Sequence, residues 1–130
     1  MIVPESSDIT SAADMADKRI AVVQGYTGEV CVKQLEFKYS AFKNGSDAIV
    51  ELTNGKCDVV VLDSATAKNY IQDNSSLKII EDTTAFEKEE YGIAVPKEST
   101  ELLEKINASI QKMIDDGSIA AWENQHAELN

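Results

Sequence analysis

Histidine, cysteine and arginine are nearly absent from this chain, and each scarcity closes off a class of chemistry. The 130 residues include one histidine, His126, close to the C-terminus. A Ser-His-Asp triad or a histidine-ligated metal centre is therefore hard to assemble. Two cysteines, Cys31 and Cys57, are too few for a disulfide scaffold, and their spacing fits neither a C-x-x-C redox motif nor a zinc site. Both read as small buried apolar residues. Basic residues number 12 against 23 acidic ones, for a formal net charge of −11, and such a surface repels phosphate backbones. Nucleic-acid binding is excluded on that ground, and no acidic cluster has calcium-loop spacing. No apolar run approaches the roughly 20 residues that a bilayer requires. The start, Met1-Ile-Val-Pro-Glu5, lacks the basic stretch and apolar core of a signal peptide.

What is present is an ordinary globular composition, 43% apolar and 27% charged, on a length suited to one domain. Arg19 to Val23 is a short β-branched run that reads as a buried strand. It leads into Gln24-Gly-Tyr-Thr-Gly-Glu29, a turn opening a helix through about Leu35. Phe37 to Phe42 alternates as a second strand, and Asn44 to Asp47 supplies turn and N-cap chemistry for a helix over Ala48 to Thr53, closed by Asn54-Gly55. Asp58-Val-Val-Val-Leu-Asp63 is the clearest strand, apolar enough to be buried on both faces. Ser64 reads as the N-cap of a helix to about Asp73. Leu77 to Ile80 and Tyr91 to Val95 read as two more strands, the second ended by Pro96. Ser99 caps the longest helix, which runs to Asp116 and stops at Gly117.

Alternation of strand and helix from Arg19 to Ile80 predicts an α/β fold: an open, mostly parallel sheet with helices on both faces, followed by C-terminal helices. The expected organisation is a Ser-, Asp- and Ala-rich linker or arm over residues 1–17, an α/β ligand-binding lobe over 18–97 and a helical segment over 98–130.

In such a sheet, ligands sit beyond the carboxyl ends of the strands. Two places there carry suitable chemistry. Gly25 and Gly28 allow close backbone approach, Thr27 offers a hydroxyl, and the helix N-terminus favours a carboxylate. An ordinary capped helix is the plainer reading of the same turn. Asp63, at the end of the buried strand, either caps the next helix, in competition with Ser64, or meets a ligand cation. An anion seat and a carboxylate on neighbouring strands together match an α-amino acid.

Four segments occur in the order seen in bacterial polar-amino-acid-binding proteins of ABC transporters. They are Lys18-Arg-Ile-Ala-Val-Val-Gln-Gly-Tyr-Thr-Gly-Glu29, Gly55-Lys-Cys-Asp-Val-Val-Val-Leu-Asp-Ser64, Tyr91-Gly-Ile-Ala-Val-Pro-Lys97, and a tail from Leu103 through Asp116-Gly-Ser-Ile119 to Trp122. The chain resembles the second, periplasmic-binding-protein-like lobe of that family plus its closing helices. The resemblance implies that Thr27 and adjacent N–H groups, including those of Gly25 and Gly28, hold an α-carboxylate and that Asp63 holds the α-ammonium. Tyr26 stands where the family often has threonine. It further implies an extracytoplasmic parent working with an ABC permease. An enzyme is the main rival class, but Asp63 and Glu29 are the only acid or base candidates and no partner is evident to perturb them, so neither an enzymatic step nor a cofactor is expected. The family's first lobe, with its aromatic shelf and carboxylate-clamping arginine, has no counterpart here. Arg19, the only arginine, belongs to the first strand. The alternatives are the ligand-binding lobe of a receptor or sensor, and an interaction fragment forming a homodimer. Leu102, Leu103, Ile106, Ile110, Met113 and Ile114 recur at helical spacing, continued by Ile119 and Trp122, and such a face seeks a second copy or folds back.

Overall fold

A computed structural model describes residues 1–72, 74–86 and 90–127. The chain divides into two compact units, Met1–Lys88 and Glu89–Asn130. In the first unit, five strands form one sheet: β1 (Ile2–Pro4), β2 (Ile20–Val23), β3 (Tyr39–Phe42), β4 (Val59–Val61) and β5 (Leu77–Ile79), in the order β3-β2-β4-β1-β5. Helices α1 (Thr27–Gln34), α2 (Gly45–Thr53) and α3 (Ser64–Ile71) connect them.

β2 pairs in parallel with both β3 and β4, with Ile20↔Val59, Ala21↔Val60 and Val22↔Val61 in register. β1 runs antiparallel between β4 and β5, so only β1 opposes the common strand direction. The strand period of two sends alternate side chains to opposite faces. Val3, Ile20, Val22, Val59 and Val61 meet Val32 of α1 and the short 3₁₀ turn Ala12–Met15. Ile2, Ala21, Val23, Val60 and Leu62 meet Ala48 and Leu52 of α2 and Ala67 of α3. Every residue of β2 and β4 is buried, as expected for strands covered by helices on both sides. Each large side chain so buried contributes about 1.5–3 kcal/mol against exposure.

Residues 1–17 are the main departure from the sequence reading. Their polar composition suggested a linker or arm, yet Ile2 and Val3 are fully buried and β1 occupies an interior sheet position. Three residues ending in proline give too short a period-two signal to recognise; the antiparallel slot between β4 and β5 stabilises them instead. Asp82 pins the following segment, its carboxylate accepting from the Ala12 N–H (2.9 Å), the Thr84 N–H (3.0 Å) and the Thr84 hydroxyl (2.6 Å).

Tyr91 to Val95, expected as a strand, lies outside any strand. A β-branched run becomes a strand only where a sheet edge offers its N–H and C=O groups, so its composition alone does not decide the matter. The helix expected to reach about Asp73 ends at Ile71; Asp73 itself lies outside the described residues. The second unit contains α4 (Thr100–Asp115) and α5 (Ser118–Ala127), which pack on each other, with Gly117 at φ +76° making the break between them. No described helix is long and apolar enough to cross a membrane.

The Ala12 N–H first, and then the Thr84 hydroxyl, hold the Asp82 carboxyl down at about 2. An unfolded aspartate titrates near 3.9. The clamp therefore contributes stability fully above about pH 4, loses it as pH falls, and contributes none below about pH 2. Asp82→Ala should lower the melting temperature at neutral pH, and the gap to the parent chain should close as melts are repeated toward pH 2. A gap that persists there would show that the carboxylate is not the source.

Candidate functional site at the ends of β2 and β4

The connections out of β2 and β4 leave on opposite faces, α1 packing on one and α3 on the other. The crevice between these adjacent parallel strands is thus a topological switch point, where open α/β sheets take their ligands. The sequence places Gln24 to Glu29 at one lip and Asp63 at the other.

At the first lip, Gly25 adopts φ +79°, a left-handed conformation costly for residues with a Cβ. The turn closes through Tyr26 N–H to Val23 C=O, 3.2 Å. Tyr26 is the N-cap of α1 and gives no side-chain cap. Thr27 and Gly28 stand at the first two helical positions, where N–H groups have no intrahelical acceptor. Thr27 is exposed and Gly28 buried. Glu29, in the third position, reaches back to accept from the Gly25 N–H at 2.6 Å, and its other oxygen accepts from the Tyr39 hydroxyl at 3.2 Å. Burial, then the hydrogen bond to Glu29 and its negative charge, raises the Tyr39 pKa.

Gly28 has a different reason from the one its sequence suggested. A Cβ there would collide with the Val61 carbonyl oxygen. The glycine lets the first turn of α1 rest directly on the end of β4, next to Leu62 and one residue short of Asp63. Close approach is to the protein's own strand, and this contact brings the two lips together.

At the second lip, Asp63 is the N-cap of α3: its Oδ1 accepts from the Thr66 N–H at 2.8 Å. Ser64 is the first helical residue instead of the cap. Capping uses one of the roughly four lone-pair positions of a carboxylate, so Asp63 can cap and still accept from a cation. Asp63 is half-buried, and no salt bridge among the described residues involves it.

Other polar groups lie elsewhere. Arg19 forks onto Asp58 through Nε (3.0 Å) and Nη2 (2.6 Å), at the amino ends of β2 and β4, remote from the switch point. Shallow depressions of about 340 and 400 Å³ also lie at that end. Three of the cations that line them, Lys18, Arg19 and Lys56, are paired with Asp8, Asp58 and Glu51, while no salt bridge among the described residues involves Lys38, which lines both. Cys57 is buried there, and burial pushes its thiol up to about 11, so it is unreactive at neutral pH. Among the described residues, no group of three or more acidic, histidine or cysteine side chains could hold a metal.

An open, mostly parallel sheet with helices on both faces, its α1 N-terminus and Asp63 at the ends of two adjacent parallel strands, is the architecture of a periplasmic-binding-protein-like lobe. An ancestral arginine-binding protein bound to arginine superposes with a TM-score of 0.75 at 37% identity, covering 95% of this chain and 57% of that one. Domain 2 of TmArgBP is 37% identical, with a TM-score of 0.57, covering 60% of this chain and 88% of that domain. The probable histidine-binding protein of Neisseria gonorrhoeae is 33% identical over 124 residues, 90% of this chain and 46% of its own length. No protein-family model matches. The chain belongs to the amino-acid-binding proteins of ABC transporters, and it spans about half the length of the curated relatives it matches.

Since backbone at Val61 cannot yield as a side-chain tip would, Gly28→Val should destabilise the lobe by about 1–3 kcal/mol, the range for overpacking a filled site. Urea unfolding checks this. A change within error would mean that α1 does not rest on β4.

Proposed function

We propose that this chain is an amino-acid-binding lobe of an ABC-transporter solute-binding protein. In this reading the Thr27 hydroxyl, with the Thr27 and Gly28 N–H groups, takes an α-carboxylate, and Asp63 takes the α-ammonium; the Gly25 and Tyr26 N–H groups are already given to Glu29 and to the Val23 carbonyl. Tyr26, exposed beside them, contributes backbone to the turn and a ring at its rim. The carrying observation is the pair of complementary lips on adjacent parallel strands. Helical N–H groups without acceptors sit on one, and a carboxylate with spare lone pairs sits on the other. Either feature alone is an ordinary cap; an α-amino acid needs both at once.

The ligand class is a polar amino acid, as the histidine-, arginine- and glutamine-binding names of relatives suggest. The whole protein would act outside the cytoplasm and hand its ligand to an ABC permease. Binding and release are its only chemistry: no catalytic step, cofactor or nucleic acid is involved.

One lobe offers one side of a cleft. Water is not excluded, so both charge pairs stay screened. The chain should therefore bind free amino acids with Kd at or above about 1 mM, worth no more than about 4 kcal/mol. Nuclear magnetic resonance titration with glutamine, arginine and histidine should move the Thr27 and Gly28 amides. Asp63→Asn should suppress that movement with little change in melting temperature, because asparagine still caps a helix. Submicromolar binding, or shifts indifferent to Asp63, would contradict the reading.

A second reading concerns α4. None of its residues is buried, while Leu102, Leu103 and Ile114, with Ile119 and Trp122 of α5, are exposed. Apolar area of that kind favours association of two copies as a homodimer. Light scattering should then give twice the 14.2 kDa chain mass at micromolar concentration; a monodisperse monomer would exclude it.

A further inference from the structure

Glu29 does something at the carboxylate seat that the amino-acid-binding reading leaves unassigned. N-cap residues usually hold the first turn with a side-chain oxygen. Tyr26 cannot, since its only side-chain oxygen is at the far end of the ring, and the structure gives it no cap bond. Asn44 and Asp63, the N-caps of α2 and α3, both bond their first turns in the usual way. The turn into α1 thus lacks the brace that its two neighbours have, although it contains a left-handed glycine and is exposed at Gly25, Tyr26 and Thr27.

Glu29 supplies the missing brace from the other side. One carboxylate oxygen takes the Gly25 N–H at 2.6 Å, a short charge-assisted bond that ties the left-handed residue to the helix it precedes. The other takes the hydroxyl of Tyr39 at 3.2 Å, and Tyr39 is anchored in β3, paired with Ile20 of β2. The bridge Gly25–Glu29–Tyr39 joins turn, helix and sheet.

We infer that Glu29, steadied by Tyr39, is a positioning residue that holds the Gly25–Gly28 turn in the conformation that presents the Thr27 and Gly28 N–H groups to a carboxylate. The inference rests on the amino-acid-binding reading and deepens it. Glu29 does not touch the ligand; it acts through the turn. Without the bridge the turn samples other conformations, and binding is reduced by the fraction of time the competent one is lost.

The test is titration of the 15N-labelled 130-residue chain with L-glutamine, followed at the Thr27 and Gly28 amides. Three variants are compared with the parent chain: Glu29→Ala, Glu29→Gln and Tyr39→Phe. Glu29→Ala should weaken binding several-fold and speed hydrogen exchange at the Gly25 amide, with a melting temperature close to the parent's. Glu29→Gln keeps an acceptor for the Gly25 N–H and should restore most of the affinity and the protection, which a purely electrostatic role would not allow. Tyr39→Phe should fall between parent and Glu29→Ala. Parent-like glutamine affinity in Glu29→Ala would overturn the inference while leaving the amino-acid reading intact. A parent chain whose Thr27 and Gly28 amides ignore glutamine, arginine and histidine alike would overturn both.

Discussion

The parallel pairing of β2 with β4 is the constraint on which the rest of the molecule depends. Two short strands, buried on every residue, are held in the register Ile20↔Val59 to Val22↔Val61. Their side chains supply the centre of both apolar faces, so burial of one face cannot be kept without the other. Because the strands are parallel and adjacent in space but not in sequence, their carboxyl ends open together. The chain leaving each end forms a helix on a different face. That pairing, with the close rest of Gly28 on the Val61 carbonyl, sets the turn at Gly25–Gly28 and Asp63 at the ends of adjacent strands.

Much of this was legible in the residues. Asp58 to Asp63 announced a strand buried on both faces, and Val59–Val61 is such a strand. Asn44 was read as turn and cap chemistry and accepts the Asp47 N–H; Asn54-Gly55 closes α2 as expected, with Gly55 left-handed at φ +67°. These are local signals, fixed by backbone geometry within one turn of chain. Tertiary pairing was not legible. Ile2–Pro4 reads as arm by composition and becomes a strand only because β4 and β5 leave an antiparallel slot between them. Tyr91 to Val95 has strand composition and forms none.

At the site, residue types were legible and their reasons only in part. Asp63 was correctly placed at the end of the strand, but it, not Ser64, caps α3. Gly28 looked like room for a ligand and is room for the Val61 carbonyl. The signal for Glu29 was present in its spacing, three residues after the N-cap, as in a capping box. The bond it makes to Gly25, and Tyr39 as second partner, depend on a turn and a strand that sequence alone does not bring together.

Electrostatics gives the site its meaning. The chain is strongly acidic, yet at the end of the sheet remote from the switch point, Lys18, Arg19 and Lys56 are neutralised by carboxylate partners. At the carboxyl ends of the strands, the groups that would attract a carboxylate in the proposed reading are backbone N–H groups and the dipole of α1. Such a seat would take an anion only modestly on its own, and Asp63 at the end of the neighbouring strand would favour a ligand that brings its own cation. The central claim is that one zwitterion bridges the two lips. A crystal structure of the chain grown in concentrated L-glutamine tests it most directly. The account predicts the α-carboxylate on the Thr27 and Gly28 N–H groups and the α-ammonium on Asp63. Glutamine bound by its side-chain amide alone, or seated among Lys18, Arg19 and Lys56 at the opposite end, would contradict it.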